Sequence, residues 1–298
     1  MRDDHIFIMA PPRSGTKMLA RALGRCPGTY LITEHKKKSS VPEETNSRAD
    51  REFWREAFRL QRLPLEEVSF DAKAFAHLNI LWNANAGENR LIIKNPNNVV
   101  RAKEIRQAFP KAQFVWLLRN PWAVIQSMFG GREAGRKTPM FLGAECILKH
   151  ADPLLRAAAS WTYAVEVMKK VESPTDIATR YEDLVLKPQE ELKRISAHLG
   201  LTLTERAAAI PQWRKEDFRV ARYLLRRSPA RKQTIELLGP VASELGYPAQ
   251  PAGFPGDDRI FGMRYLLTVL RRPNKAPPYG FPRLEKIGAV IRKARAKH

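Results

Sequence analysis

The sequence predicts an α/β fold with a central parallel sheet flanked by helices. Short continuous apolar runs, typical of buried strands, alternate with longer segments whose apolar residues recur at helical spacing. At the amino terminus, the run at residues 5–9 leads through a short turn into a helix predicted over residues 16–25. Ligands of such sheets bind at the carboxyl ends of the strands, so the turns that follow the strands form the candidate site.

Each predicted strand is a short apolar run bounded by polar or turn residues, and the five runs are residues 5–9, 29–32, 90–94, 113–118 and 176–180. Helices are predicted between and after them, over residues 16–25, 51–61, 70–83, 99–109, 121–129, 154–172 and 188–199. The first helix ends at Pro27-Gly28 and the last at Gly200, because proline and glycine terminate helices. Residues 35–50 and 130–150 are polar or glycine-rich and are predicted as loops.

The composition changes near residue 248, which predicts a main domain over residues 1–247 and a basic extension over residues 248–298. Proline and glycine are frequent at 248–256, and residues 259–272 and 283–297 combine basic residues with apolar residues at helical spacing. These segments are predicted to be helical. Two interpretations remain open: they pack on the main domain, or they lie on an anionic membrane surface with the apolar face inward.

The net charge of +21, from 52 Lys and Arg against 31 Asp and Glu, indicates an anionic ligand or partner. A hydrophobic content of 44% is sufficient for a core and excludes a disordered chain. Two cysteines are too few for a disulfide framework or a cysteine zinc site, and the six histidines are scattered, so no metal is predicted. No signal-peptide or transmembrane pattern is found, and a cytoplasmic location is expected, with peripheral membrane contact as the alternative.

The turn after the first strand, in the segment MAPPRSGTKML at residues 9–19, has the composition of an anion-binding loop. Backbone N–H groups at a strand–turn–helix junction and the positive helix end attract anions. Glycine allows the backbone to approach a phosphate, while hydroxyl and cationic side chains add donors and charge. The predicted contacts are Arg13, Ser14, Gly15, Thr16 and Lys17.

This loop differs from the Walker A loop, G-x-x-x-x-G-K-[ST]. Ala10 stands where the first glycine belongs, and Thr16-Lys17 reverse the order of lysine and hydroxyl residue. The hydroxyl that would bind Mg²⁺ beside a triphosphate is therefore misplaced. A phosphate loop that works without a metal is predicted.

The order PPRSGT at residues 11–16 resembles the 5′-phosphosulfate loop of the sulfotransferases, which use 3′-phosphoadenosine 5′-phosphosulfate (PAPS) as donor. A second segment, FVWLLRNPWAVIQSM at residues 114–128, is similar to the family's 3′-phosphate motif, with Arg119 and Ser127 in the matching positions. Residues 181–184 (YEDL) are similar to a strand-end motif of the family, and residues 219–247 resemble the closing segment of bacterial members. The resemblance implies the P-loop nucleoside-triphosphate-hydrolase-like sulfotransferase fold.

The resemblance also implies roles for individual residues. Arg13 matches the family cation at the leaving oxygen of the nucleotide, and Lys94 is similar to a family lysine near the transferred sulfuryl group. Pro96 stands where cytosolic members carry their catalytic histidine, so the expected base is Glu34, as in the tyrosylprotein enzymes, with His35 second. Arg222 is the expected adenosine-phosphate contact, with Arg226 and Arg227 as competitors.

A PAPS-dependent sulfotransferase is thus the predicted function, with a small-molecule or glycan acceptor. The alternatives are a Mg²⁺-dependent P-loop kinase and a basic nucleic-acid-binding protein. Arg119 follows the apolar run where a kinase would carry a Walker B-type aspartate, and no nucleic-acid signature accompanies the charge. No nucleic-acid partner is therefore expected. Glu182 and Asp183, placed at a strand end, would point to opposite faces, which favours structural roles over paired-carboxylate chemistry.

Overall fold

The computed structural model describes residues 3–33, 79–80, 83, 86–130, 142, 145–208 and 218–251. Five parallel strands form one sheet: β1 (Ile6–Met9), β2 (Thr29–Thr33), β3 (Arg90–Lys94), β4 (Gln113–Leu118) and β5 (Ile177–Arg180). Their order is β2-β3-β1-β4-β5, and every neighbouring pair is parallel. The prediction of an α/β fold on a central parallel sheet is confirmed.

Helices connect and follow the strands. In the described residues they are α1 (Thr16–Leu23), α2 (Ala102–Ala108), α3 (Pro121–Gly130), α4 (Glu145–Leu148), α5 (Pro153–Val171), α6 (Tyr181–Leu186), α7 (Pro188–Leu199), α8 (Glu205–Ala208), α9 (Arg219–Arg227) and α10 (Arg231–Glu244). A 3₁₀ turn covers Pro96–Asn98, so the helix predicted over 99–109 begins later, at Ala102. None of the described helices is long and apolar enough to cross a membrane.

The three central strands, β1, β3 and β4, are buried almost throughout, which explains their apolar sequences, whereas the edge strand β5 alternates buried and exposed residues. On one face, Ile8 and Val115 belong to a cluster with Leu19 of α1. On the other, Phe7 packs against Phe109 and Phe114 with ring centroids 5.6 and 6.0 Å apart.

Asp176 organises the amino-terminal edge of the sheet, just before β5. Its carboxylate accepts hydrogen bonds from the Arg106 guanidinium at 2.6 and 2.8 Å and from the Phe114 N–H at 2.9 Å. It also accepts from the Ser173 N–H at 3.0 Å and, at 3.4 Å, from the Trp116 indole. The Asp176 side chain is fully buried, so this ion pair fixes β5 against β4 from the edge opposite the candidate site.

The contacts divide the chain into two compact units. The first contains the sheet, α1, α2, α4, α6–α8 and residues 159–171 of α5, and the second contains α3, residues 153–158 of α5, α9 and α10. Gly200 ends α7 in the left-handed region with φ 67°, as predicted. Residues 51–78 and 252–298 lie outside the described residues, so the helices predicted over 51–61 and at 259–272 and 283–297, and the extension 248–298 as a separate segment, stay predictions.

Candidate functional site

β1 lies between β3 and β4. The chain places β2 and β3 on one side of β1, and β4 and β5 on the other, so the loop after β1 is at the point where the strand order switches sides. Ile8 is level with Lys94 of β3, and Met9 is level with Trp116 of β4. Because all strands are parallel, the loop after β1, Lys94 and the residues after β4 share one edge. Ligands of open α/β sheets bind at such a position.

The loop after β1 has a strained backbone. Arg13 and Gly15 both adopt positive φ, at 72° and 93°. For a side-chain-bearing residue such as Arg13 this conformation costs about 1–2 kcal/mol, which the surrounding contacts must offset. The Ser14 N–H donates to the Pro11 carbonyl at 3.3 Å, and the Met18 N–H donates to the Gly15 carbonyl at 2.9 Å. The loop thus leads directly into the amino terminus of α1, which is a favourable location for an anion.

The side chains of the loop differ in exposure. Arg13 and Lys17 are exposed, and Thr16 is buried. Ser14 is 0% exposed, and its Oγ has no hydrogen-bond partner in the described part of the chain. Two exposed cationic side chains, Arg13 and Lys17, thus lie next to the helix amino terminus at this edge. The predicted phosphate contacts from the Ser14 and Thr16 hydroxyls stay predictions.

Arg119, the first residue after β4, reaches the loop after β1. Its Nη1 donates to the carbonyl oxygen of Arg13 at 2.7 Å. The two sequence motifs lie 106 residues apart, and the structure joins them through this bond. Arg119 is therefore the third cationic side chain at this edge, together with Arg13 and Lys17.

The ring of Tyr181, the first residue of α6, lies between Arg119 and Gly15. The Arg119 Cζ is 4.2 Å from the ring centroid, a cation–π contact. A Cβ on Gly15 would lie 2.5 and 2.7 Å from Cδ2 and Cε2 of the ring. Glycine is therefore required at position 15 for two reasons, its positive φ and its contact with this ring.

The expected extended conformation of residues 181–184 is wrong. β5 ends at Arg180, and Tyr181–Leu186 form α6. Glu182 and Asp183 lie in the first turn of this helix, where negative side chains are favoured by the helix dipole. Glu182 Oε1 accepts a hydrogen bond from the Asn120 N–H at 2.8 Å, a contact that the sequence did not reveal because its partners are 62 residues apart.

Lys94 ends β3 at the same edge and is 5% exposed. It is level with Thr33, the last residue of β2. The next residue, Asn95, accepts the Asn97 N–H on its Oδ1 at 2.9 Å and thereby starts the 3₁₀ turn. The expected bases Glu34 and His35 follow Thr33 in the sequence but lie outside the described residues, so their role stays a prediction.

Ser127 and Arg222, two expected nucleotide contacts, belong to the second unit. Ser127 lies on α3 and Arg222 on α9, and these helices pack against each other. Gln126 Oε1 accepts the Ala221 N–H at 3.1 Å, which fixes the start of α9 beside α3. The two residues are therefore carried by neighbouring helices, and Arg222 is 8% exposed.

The cysteines have no activated thiol. Burial raises the pKa of the Cys26 thiol, partly opposed by a hydrogen bond with Ser196. Burial also raises the pKa of Cys146, although Lys149 opposes it. A nucleophilic cysteine requires a lowered pKa, so neither is suited to covalent catalysis. Within the described ranges, no cluster of three or more His, Cys, Asp or Glu residues could hold a metal.

The sulfotransferase family model matches residues 5–205 of the chain. The chain belongs to the sulfotransferase family. The omega-hydroxy-beta-dihydromenaquinone-9 sulfotransferase Stf3 of Mycobacterium bovis is 29% identical over 117 residues, which are 37% of this chain and 29% of that protein. The protein-tyrosine sulfotransferase A of Caenorhabditis elegans is 23% identical over 288 residues, 93% of this chain and 70% of the relative. The chain thus spans less than a third of the length of the first relative.

The fold is shared with solved sulfotransferase structures. The sulfotransferase domain from the curacin biosynthetic pathway superposes with a TM-score of 0.51 at 17% identity, covering 82% of this chain and 98% of that domain. The parallel sheet with the loop after β1 is therefore the P-loop-like sulfotransferase fold that the sequence motifs predicted.

Proposed function

We propose that this sulfotransferase transfers a sulfuryl group from PAPS to a hydroxyl or amine of an acceptor by in-line displacement. The observation that supports this best is the 2.7 Å hydrogen bond from Arg119 Nη1 to the Arg13 carbonyl. It joins the segment similar to a 5′-phosphosulfate loop with the segment similar to a 3′-phosphate motif. A donor with phosphate groups on the 5′ and 3′ positions of one ribose requires that these two segments lie close together.

In the proposed reaction, a lone pair of the acceptor oxygen forms a bond to sulfur while the bond between sulfur and the nucleotide phosphate oxygen breaks. Negative charge develops on that leaving oxygen, and cations and N–H groups placed there lower the barrier. Arg13, at the amino terminus of α1, is the proposed partner of the leaving oxygen. Lys94, at the same edge of the sheet, is the proposed partner of the sulfuryl group. The products are the sulfated acceptor and 3′-phosphoadenosine 5′-phosphate.

The 3′-phosphate is proposed to bind Arg119, Ser127 and Arg222. For Arg119, the support includes its placement at the edge of the sheet beside the loop. A guanidinium has five N–H donors in a fork that matches phosphate oxygens. For Ser127 and Arg222, the support is the sequence resemblance. The reversed Thr16-Lys17 order supports a reaction without Mg²⁺.

Glu34 is the proposed base that takes the acceptor proton, with His35 as the second candidate. A positioned base contributes about 10²–10⁴-fold to the rate. We expect Glu34→Gln to lower kcat by at least about 100-fold. The affinity for 3′-phosphoadenosine 5′-phosphate should stay within about twofold, because a carboxylate donates no hydrogen bond to a phosphate group. His35→Gln is the matched control. A Glu34→Gln variant with near-normal turnover, or a larger loss in His35→Gln, would contradict the assignment.

The acceptor is proposed to be a small molecule or glycan, such as a carbohydrate or a glycolipid. The names of two relatives refer to a dihydromenaquinone and to protein tyrosine, which are chemically different acceptors. The basic segment at residues 248–298 is proposed either to pack on the main domain or to bring the protein to an anionic membrane. Sedimentation of the full chain and of a chain truncated at residue 257 with anionic liposomes separates the two, because equal binding by both chains would exclude the membrane role.

Thermal denaturation with added nucleotides tests the donor. A ligand present at 100 times its Kd stabilises the folded state by about 2.7 kcal/mol. We expect 3′-phosphoadenosine 5′-phosphate to raise the Tm, with ATP–Mg²⁺ and an unrelated DNA duplex raising it less. Selective stabilisation by ATP–Mg²⁺ would instead favour the kinase alternative, and selective stabilisation by DNA would favour a nucleic-acid-binding protein.

A further inference from the structure

The peptide group between Arg119 and Asn120 is held at both of its polar atoms by side chains. The Arg119 carbonyl accepts a hydrogen bond from Trp161 Nε1 at 2.9 Å. The N–H of the same peptide, on Asn120, donates to Glu182 Oε1 at 2.8 Å. Trp161 comes from α5 and is fully buried, whereas Glu182 comes from α6. Two elements distant in sequence therefore fix the orientation of one peptide plane, and this plane directs the Arg119 side chain.

The Arg119 side chain is held in turn by Tyr181. The ring lies 4.2 Å from the guanidinium carbon and directly against Gly15, where a Cβ would be only 2.5 Å away. The guanidinium Nη1 also donates to the Arg13 carbonyl. Ordering an arginine side chain costs conformational entropy. Because these contacts already order Arg119 in the protein without ligand, binding of a ligand loses less entropy. The ring serves as a spacer that sets the distance between the loop after β1 and Arg119.

We propose that Tyr181, Glu182 and Trp161 are positioning residues that hold Arg119 in place for the 3′-phosphate and thereby set the preference for a bisphosphorylated adenosine. The inference rests on the proposed function, since it assumes that Arg119 contacts the 3′-phosphate. The active part of Tyr181 in this role is the aromatic face. Its effect reaches the nucleotide through Arg119.

This role differs from a contact of the Tyr181 hydroxyl with the ligand, and two variants separate them. Tyr181→Phe keeps the ring and its contacts with Gly15 and Arg119 but removes the hydroxyl. Tyr181→Leu removes the planar face against which the Arg119 guanidinium lies. The measurement is the ratio of two dissociation constants obtained by titration calorimetry, that for AMP divided by that for 3′-phosphoadenosine 5′-phosphate. The ratio isolates the contribution of the 3′-phosphate.

The wild-type protein is expected to prefer the bisphosphate by about tenfold or more, since a hydrogen bond to a charged group contributes about 1.5–3 kcal/mol. Tyr181→Leu is expected to lower this ratio about three- to tenfold, in keeping with a partly exposed cation–π contact. Tyr181→Phe is expected to keep the ratio within about twofold of wild type, since the ring remains. An unchanged ratio in Tyr181→Leu, or an equal loss in Tyr181→Phe, would overturn the role of the ring.

Glu182 gives a second, independent pair of variants, which decides the question if Tyr181→Leu does not fold. Glu182→Gln retains an oxygen that can accept the Asn120 N–H and should keep the ratio, whereas Glu182→Leu should lower it. Equal ratios in both variants would overturn the positioning role of Glu182. A wild-type protein that does not distinguish the two nucleotides would contradict the proposed function itself. If instead the wild type distinguishes the two nucleotides and none of the variants changes the ratio, only the positioning role is contradicted.

Discussion

Replacement of Gly15 by alanine is the sharpest test of how the loop after β1 is built. The added Cβ would lie 2.5 Å from Cδ2 and 2.7 Å from Cε2 of Tyr181, well inside normal contact distance. The residue would also have to keep φ at 93°, which alanine adopts only with strain. The ring cannot move freely, because the Arg119 guanidinium lies 4.2 Å from its centroid.

Gly28→Ala is the matched control. Gly28 also has a positive φ, 70°, but nothing lies within 4 Å of the Cβ it would gain. The backbone term alone costs about 1–2 kcal/mol, and this is the loss we expect for Gly28→Ala. In Gly15→Ala, overpacking against the ring adds about 1–3 kcal/mol, for a total of roughly 2–5 kcal/mol.

Urea denaturation gives both free energies of unfolding, and calorimetry gives the affinity for 3′-phosphoadenosine 5′-phosphate. Gly15→Ala should weaken binding at least about tenfold, because the ring and Arg119 must shift by more than the tolerance of a phosphate site. Gly28→Ala should bind normally, since it lies in the turn between α1 and β2. Equal destabilisation by the two substitutions, together with normal binding by Gly15→Ala, would refute this account of the loop.

Two further predictions concern the opposite edge of the sheet. Asp176→Asn should lower the free energy of unfolding by about 3–5 kcal/mol, because it leaves the Arg106 guanidinium without its charged partner; urea denaturation measures this, and a loss below about 1 kcal/mol would contradict it. Burial lowers the pKa of His5 below the usual histidine value of about 6.5, so the unfolded chain binds the proton more tightly. The free energy of unfolding should therefore fall as the pH drops below about 6.5, by at most about 1.4 kcal/mol per pH unit from this group. His5→Gln should remove this part of the slope, and an identical pH dependence in the variant would show that His5 does not contribute.

Through its resemblance to the two phosphate motifs of the sulfotransferase family, the sequence predicted that Arg119 lies beside the loop after β1. The continuous apolar runs of β1 and β4 indicate buried parallel strands, and the carboxyl ends of parallel strands share an edge. The strand pattern alone does not give the strand order, so the neighbouring positions of β1 and β4 are known only from the structure. The pattern nevertheless placed Arg13, Lys94 and Arg119 at one edge, where the structure has them.

The sequence was not sufficient for Tyr181 and Glu182. The segment YEDLVL has no strong helix signal, and its acidic residues were compatible with a strand end. Its helical conformation places Glu182 against the Asn120 N–H, 62 residues away, and Tyr181 against Gly15. Contacts of this kind depend on the register of β5 beside β4, which the local sequence does not encode. For the same reason Asp176 could not be distinguished from other acidic residues, although its side chain is fully buried.

A crystal structure of the protein with 3′-phosphoadenosine 5′-phosphate tests the central claim most directly. The account predicts that the 5′-phosphate accepts hydrogen bonds from the backbone N–H groups of residues 13–17 at the start of α1, and that the 3′-phosphate is within hydrogen-bond distance of the Arg119 guanidinium. A nucleotide bound away from this edge of the sheet, or one whose 3′-phosphate makes no contact with Arg119, would contradict it.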